Sequence, residues 1–206
     1  MDIGFLLKGL FIGFSIAAPV GPIGLLCIRR TLAEGRTSGL VSGLGAATAD
    51  AIYGCIAGFG LTFISTLLIS QQVWFRVVGG LFLLYLGLKT FLSGPAGKMA
   101  SAKVNGLMGT YASTFFLTLT NPMTILSFAA IFAGLGVAST SGNYLSAGVL
   151  VLGVFSGSAL WWLLLSSGVA LFQAKFNLRE LKWVNRISGI LIMLFSLYVL
   201  LGIKLS

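Results

Sequence analysis

The chain has 206 residues, of which 57% are hydrophobic and 8% charged, with a mean hydropathy of +1.04 and no histidine. That composition excludes a soluble domain and describes a polytopic membrane protein, and the lack of histidine removes the commonest transition-metal ligand and the usual general base. A net charge of +9 would suggest nucleic acid in a soluble chain, but here most of the basic residues, eight of thirteen, fall in short connectors between apolar runs and read as topology signals.

Runs of about 20 apolar residues predict six transmembrane helices, near Ile3–Ile28, Gly39–Ile69, Trp74–Leu92, Gly106–Leu135, Tyr144–Phe172 and Trp183–Ile203. The first could be mistaken for a signal peptide, but Lys8 interrupts it and it runs on apolar past its small residues, so it is read as retained. Within it, Ser15-Ile-Ala-Ala-Pro-Val-Gly-Pro-Ile-Gly24 places prolines and glycines deep in what should be hydrocarbon. The fourth span breaks in the same way at Thr118-Leu-Thr-Asn-Pro-Met-Thr124. A proline inside a helix frees backbone groups that lipid cannot satisfy, so such breaks survive only against protein or a wet cavity. Gly21-Pro22 and Asn121-Pro122 each read as an N-cap followed by proline at the first helical position. Two half-helix N-termini would then face the membrane interior with their partial positive charge, where an anion could bridge them; a simple proline kink is the alternative.

Asp50 is the only acid inside any predicted span. It lies about 16 Å from Gly39 along the helix at 1.5 Å per residue, close to the midplane. Gly39, Gly43, Ala47, Asp50, Gly54 and Gly58 recur at spacings of three or four, which puts the acid on a small-residue packing face turned toward the bundle. No basic residue is placed as its permanent partner, so a proton or a substrate ammonium is expected there; the alternative is a carboxylate held by hydroxyls such as Thr48 or Ser15 purely for packing. Ser15, Thr118, Thr120, Thr124 and Ser127 surround the breaks and are expected mainly to cap freed carbonyls. Tyr53, Trp161 and Trp162 are read as core aromatics, with a gate or substrate platform as the second reading.

The connectors holding Arg29, Arg30 and Arg36, then Lys98 and Lys103, then Lys175, Arg179 and Lys182 are basic, whereas Ser70–Val73 and Gly136–Asn143 carry no charge. The positive-inside bias therefore predicts both termini outside, and Trp74 and Trp183 open their spans where an indole suits the headgroup level. Superposing the halves sets Gly9 on Gly109, Pro22 on Pro122, Arg76 on Arg186 and Gly79 on Gly189. One transmembrane domain over 1–206 is expected, as two inverted three-helix repeats of about 1–97 and 98–206 with helices one and four broken.

Ala17-Ala-Pro-Val-Gly-Pro-Ile-Gly-Leu-Leu-Cys-Ile-Arg-Arg-Thr-Leu-Ala-Glu-Gly-Arg36, Ser42-Gly-Leu-Gly-Ala-Ala-Thr-Ala-Asp-Ala-Ile-Tyr-Gly54 and Asn121-Pro122 together resemble the LysE family of amino-acid exporters over essentially the whole chain. The resemblance implies a secondary transporter of the bacterial inner membrane that exports amino acids or close derivatives, by proton antiport and as a homodimer, with no cofactor. It carries motif positions to Pro19, Gly21, Pro22, Asp50, Asn121 and Pro122. Ile23 and Met123 stand where many relatives have Asn and Lys, which leaves the substrate open. The competing readings are a thiol-redox or metal-ion transporter of the same superfamily and a non-transporting assembly subunit. Cys27 and Cys55 adjoin neither break, no acid cluster is present, and a scaffold leaves Asp50 and the paired breaks without a use. No nucleophile and base are placed together, so an enzyme is not indicated.

Overall fold

The computed structural model describes residues 3–19, 21–59, 70–93, 104–135, 144–173 and 178–201, and among them every regular element is an α-helix. Helix α1 is Ile3–Ala17, α2 Pro22–Glu34, α3 Arg36–Gly58, α4 Gln72–Leu92, α5 Val104–Leu119, α6 Pro122–Leu135, α7 Tyr144–Gln173 and α8 Leu178–Leu201. Four of them, α3, α4, α7 and α8, are long and apolar enough to cross a membrane alone, and α1 with α2 passes as a bent pair. At 16 and 14 residues, α5 and α6 are each too short to cross by themselves. The protein is a multi-pass membrane protein.

Both predicted breaks separate helices. The first differs from a kinked span, because α2 turns 80° away from α1 and runs on through Arg29 and Arg30 to Glu34. The first basic connector is therefore almost wholly helical. Only Gly35 joins α2 to α3; its φ of +100° lies where side chains are strained, and its N–H donates to Thr31 O at 3.1 Å. The uncharged connector Gly136–Asn143, and Lys98, Lys103 and Lys175, lie outside the described residues.

Small residues set the packing, since apolar association in lipid depends on close backbone approach. The tightest seam joins α1 to α7: a Cβ at Gly9 or Gly13 would run into the backbone of Leu150 or Val154, and one at Gly153 or Gly157 into that of Leu6 or Leu10. Residue numbers climb together along this seam, so α1 and α7 run in the same sense. Against α3, α7 runs the opposite way, with Gly43 against Trp162, Asp50 against Ser158 and Gly58 against Leu150. All six positions of the expected α3 face are buried. The face is tight at Gly39 and Gly43 but looser at Gly54, where a Cβ would sit in ordinary contact, 3.5 Å from Val154. Helices α4 and α8 pair antiparallel, through Gly80 against Leu200 and Gly87 against Met193. Helix α2 lies across α3 and touches both α7 and α8, so it bridges the two groups of helices.

Candidate functional site

The chain breaks and the acid open onto one space. A cavity of about 390 Å³ is lined by Pro19, Gly21, Pro22, Ile23 and Gly24 of the first break, by Thr118, Asn121, Met123 and Thr124 of the second, and by Asp50. Its remaining walls come from Ile16, Ala17, Ala46, Leu83, Ser127, Trp162, Phe195 and Val199, with Tyr198 beside them. The walls are mostly apolar, and Asp50 is the only acid among the described residues that form them.

Asp50 is 3% exposed and bonds to a residue that sequence reasoning missed: Ser158 Oγ on α7 donates to its Oδ2 at 2.7 Å. The same hydroxyl accepts from Trp162 Nε1 at 3.1 Å, one turn along α7, so the indole orients the serine toward the acid. Ser158 was legible only as a polar residue in an apolar span, four places before a tryptophan. Neither expected hydroxyl holds Asp50. Ser15 is exposed and lines no part of the cavity, and Thr48 Oγ1 donates to Leu44 O at 2.9 Å while accepting from Tyr111.

Both N-caps form where expected, with different chemistry. Gly21 caps α2 with no side-chain hydrogen bond, and Pro22 follows at the helix start, so the first turn of α2 meets the cavity with its N–H groups uncovered by any capping side chain. Asn121 caps α6 with its own side chain: Oδ1 accepts from Met123 N at 3.1 Å. In an unbroken helix that N–H would go to Leu119 O. Tyr53 OH donates to Leu119 O instead, at 2.6 Å, so Tyr53 mends the second break from α3 and lies outside the cavity. Its ring stacks on Phe128, with centroids 5.4 Å apart. Pro122 is buried at the start of α6, outside the cavity lining. Thr118 and Thr120 bond back to Thr114 O and Phe116 O at 2.9 and 2.8 Å, carbonyls before the break rather than freed ones, and only Thr120 Oγ1 also reaches a carbonyl at the break, Leu117 O at 3.4 Å. Cys27 is packed in the core, and neither it nor Cys55 reaches the cavity.

A second polar cluster lies in the basic connector whose Arg29 and Arg30 read, in the sequence, only as topology signals. Arg30 is 7% exposed; its Nη1 donates to Ser42 Oγ, to Thr114 Oγ1 at 2.8 Å and to Thr110 O at 3.0 Å, while Nη2 donates to Ser113 Oγ at 2.7 Å. This buried guanidinium ties α2 to α3 and α5. Arg29 Nε donates to Asn185 Oδ1 at 3.0 Å, which ties α2 to α8, while its Nη1 pairs with Glu34 at 3.3 Å within α2. Asn185 Nδ2 in turn donates to Ser93 O at 3.3 Å.

An apolar helical bundle whose interrupted helices converge on a cavity with one buried carboxylate is the architecture of a membrane transporter. The chain matches the LysE type translocator model over residues 14–202, and it belongs to that family. It is similar to the "Putative amino acid efflux protein YcgF" of Bacillus subtilis, 27% identical over 197 residues that cover 93% of each chain. It is also similar to the "Uncharacterized membrane protein YahN" of Escherichia coli, 28% identical over 178 residues, 82% of this chain and 77% of that protein. No solved structure matches.

Proposed function

We propose that the protein exports neutral amino acids across the bacterial inner membrane by proton antiport, and that the cavity between the two breaks is the substrate site. The observation that carries this reading is the convergence of Asp50 and the uncapped start of α2 on one cavity. A zwitterion needs an anion site and a cation site a few ångströms apart. Its carboxylate would face the N–H groups at Gly21-Pro22, and its ammonium would meet Asp50. Asn121 already covers an N–H of α6, so the second break contributes shape and a partly used helix end. With Asp50 the only acid among the described wall residues, a dibasic amino acid would leave its second charge unpaired, and the apolar surfaces of Ile16, Ile23, Leu83, Phe195 and Val199 favour an aliphatic side chain. The efflux named for the B. subtilis relative supports the direction.

Coupling follows from competition at one carboxylate. Ionised Asp50 holds the ammonium and protonated Asp50 releases it, so a proton entering from outside expels substrate there and leaves inside. The parallel run of α1 and α7 and the antiparallel run of α4 and α8 accord with six spans, α5 and α6 forming the fourth, in two inverted repeats that rock about the breaks. Both termini outside, and a homodimer, complete the proposal.

Efflux of labelled leucine, threonine and lysine from loaded proteoliposomes tests it. Wild-type protein should export leucine faster than lysine and acidify the interior as it does so. Asp50→Asn should lower proton-coupled efflux at least about 100-fold while the protein elutes and melts as wild type. Wild-type rates in Asp50→Asn would remove Asp50 from the mechanism.

A further inference from the structure

A second cavity, of about 490 Å³, lies between α2, α4 and α5 and is lined by Arg29, Arg30 and Lys89 with Glu34, Thr90, Ser93 and Ser113. On three helices its lining continues along the helix from that of the substrate cavity, always toward the end that carries or adjoins a basic stretch of the sequence. On α2 the sequence passes from Ile23 and Gly24 to Leu26, Arg29 and Arg30, on α4 from Leu83 to Leu86 and Lys89, and on α5 back from Thr118 to Ser113 and Thr110. Between the two spaces stand Ile23, Leu26, Leu83 and Leu86, all buried in one apolar cluster. Away from this plug the substrate cavity reaches Met123 and Tyr198, which are 58% and 70% exposed.

We infer that the two cavities are stations on one path, that the Arg29–Lys89 cavity is a vestibule collecting the amino acid by its carboxylate, and that Ile23, Leu26, Leu83 and Leu86 are the closed gate between them. This rests on the amino-acid export reading above. The vestibule carries three cationic side chains against one carboxylate, and no carboxylate among the described residues pairs with Lys89, whose ammonium lies 5.9 Å from the Tyr85 ring. A cleft with one sign of charge concentrates the opposite charge. It draws in the carboxylate and disfavours dibasic substrates, the same selection the substrate cavity makes. A cluster of aliphatic side chains closes a path to a polar solute by excluding water. Helix α2 contributes to the vestibule, the gate and the substrate cavity, and its ties to α3 and α5 through Arg30 and to α8 through Arg29 hold the gate in its closed position.

Uptake of labelled leucine into inverted membrane vesicles, over a range of concentrations, tests the inference. Lys89→Gln should raise KM on the order of 5-fold with kcat little changed, Lys89→Arg should restore it, and added salt should raise the wild-type KM toward the variant's. Leu26→Ala with Leu86→Ala should leak leucine in both directions without a proton gradient. Unchanged KM in Lys89→Gln, together with a tight Leu26→Ala, Leu86→Ala double variant, overturns the vestibule and the gate while leaving the export reading standing. A wild-type protein that moves no amino acid sinks both. Should Lys89→Gln alter transport only in proteoliposomes containing phosphatidylglycerol, the cavity holds a lipid phosphate and the vestibule is refuted.

Discussion

The two breaks use the same sequence device and do different work. At the first, glycine caps the new helix without a side chain, the helix turns 80°, and its start faces the cavity. At the second, Asn121 caps the new helix, Tyr53 takes the carbonyl left behind, and Asn121 N donates to Thr118 O at 3.2 Å, so the freed groups are largely resatisfied by protein. A proline in a span therefore marks where a helix stops. Whether the stop becomes a binding site depends on how many of the freed groups the neighbours consume.

The comparison can be broken most severely at the seam that holds the first break in place. Gly13→Leu must push α1 off the backbone of Val154, and Gly157→Leu must push α7 off Leu10, so both should prevent assembly of the folded protein, read as loss of a monodisperse peak in detergent. Gly54→Ala, on the looser α3 face, should elute as wild type. Next comes the mend of the second break. Tyr53→Phe keeps the stacked ring but leaves Leu119 O without its donor, a loss of about 1–3 kcal/mol that should lower the melting temperature with little change in substrate KM. Asn121→Ala removes the cap at a cost of about 1 kcal/mol and, because Asn121 also lines the cavity, should raise KM modestly. An unchanged melting temperature in both variants would mean that the second break is no better satisfied than the first. A smaller effect is expected at Gly21→Ala, where nothing stands within 4 Å of an added Cβ and φ is −101°: no clash arises, and the cost is the preference of an N-cap for glycine over alanine, about 0.5 kcal/mol. Gly21→Asp sharpens the contrast. It supplies the missing cap and should stabilise α2, yet it places a carboxylate where the substrate's would sit, so transport should fall as the melting temperature rises.

What the sequence determined by itself is what depends on neighbours along the chain. Proline at 22 and 122 lacks an N–H and fixes φ, so both helices had to restart there, and the three- and four-residue spacing from Gly39 to Gly58 put Asp50 on a buried face before any partner was known. Only the tertiary structure decided what meets those features. Ser158 lies 108 residues from the acid it bonds, Tyr53 reaches a carbonyl 66 residues away, and Arg30 crosses to Thr114 and Ser113 on α5. Ser15, which is near Asp50 in sequence logic, points away because the face of α1 is fixed by its glycine seam with α7. The reason is geometric. Local conformation is set by covalent neighbours and hydrogen-bond accounting within a turn, whereas the identity of a side chain's partner depends on the relative rotation and sliding of helices that only their packing fixes.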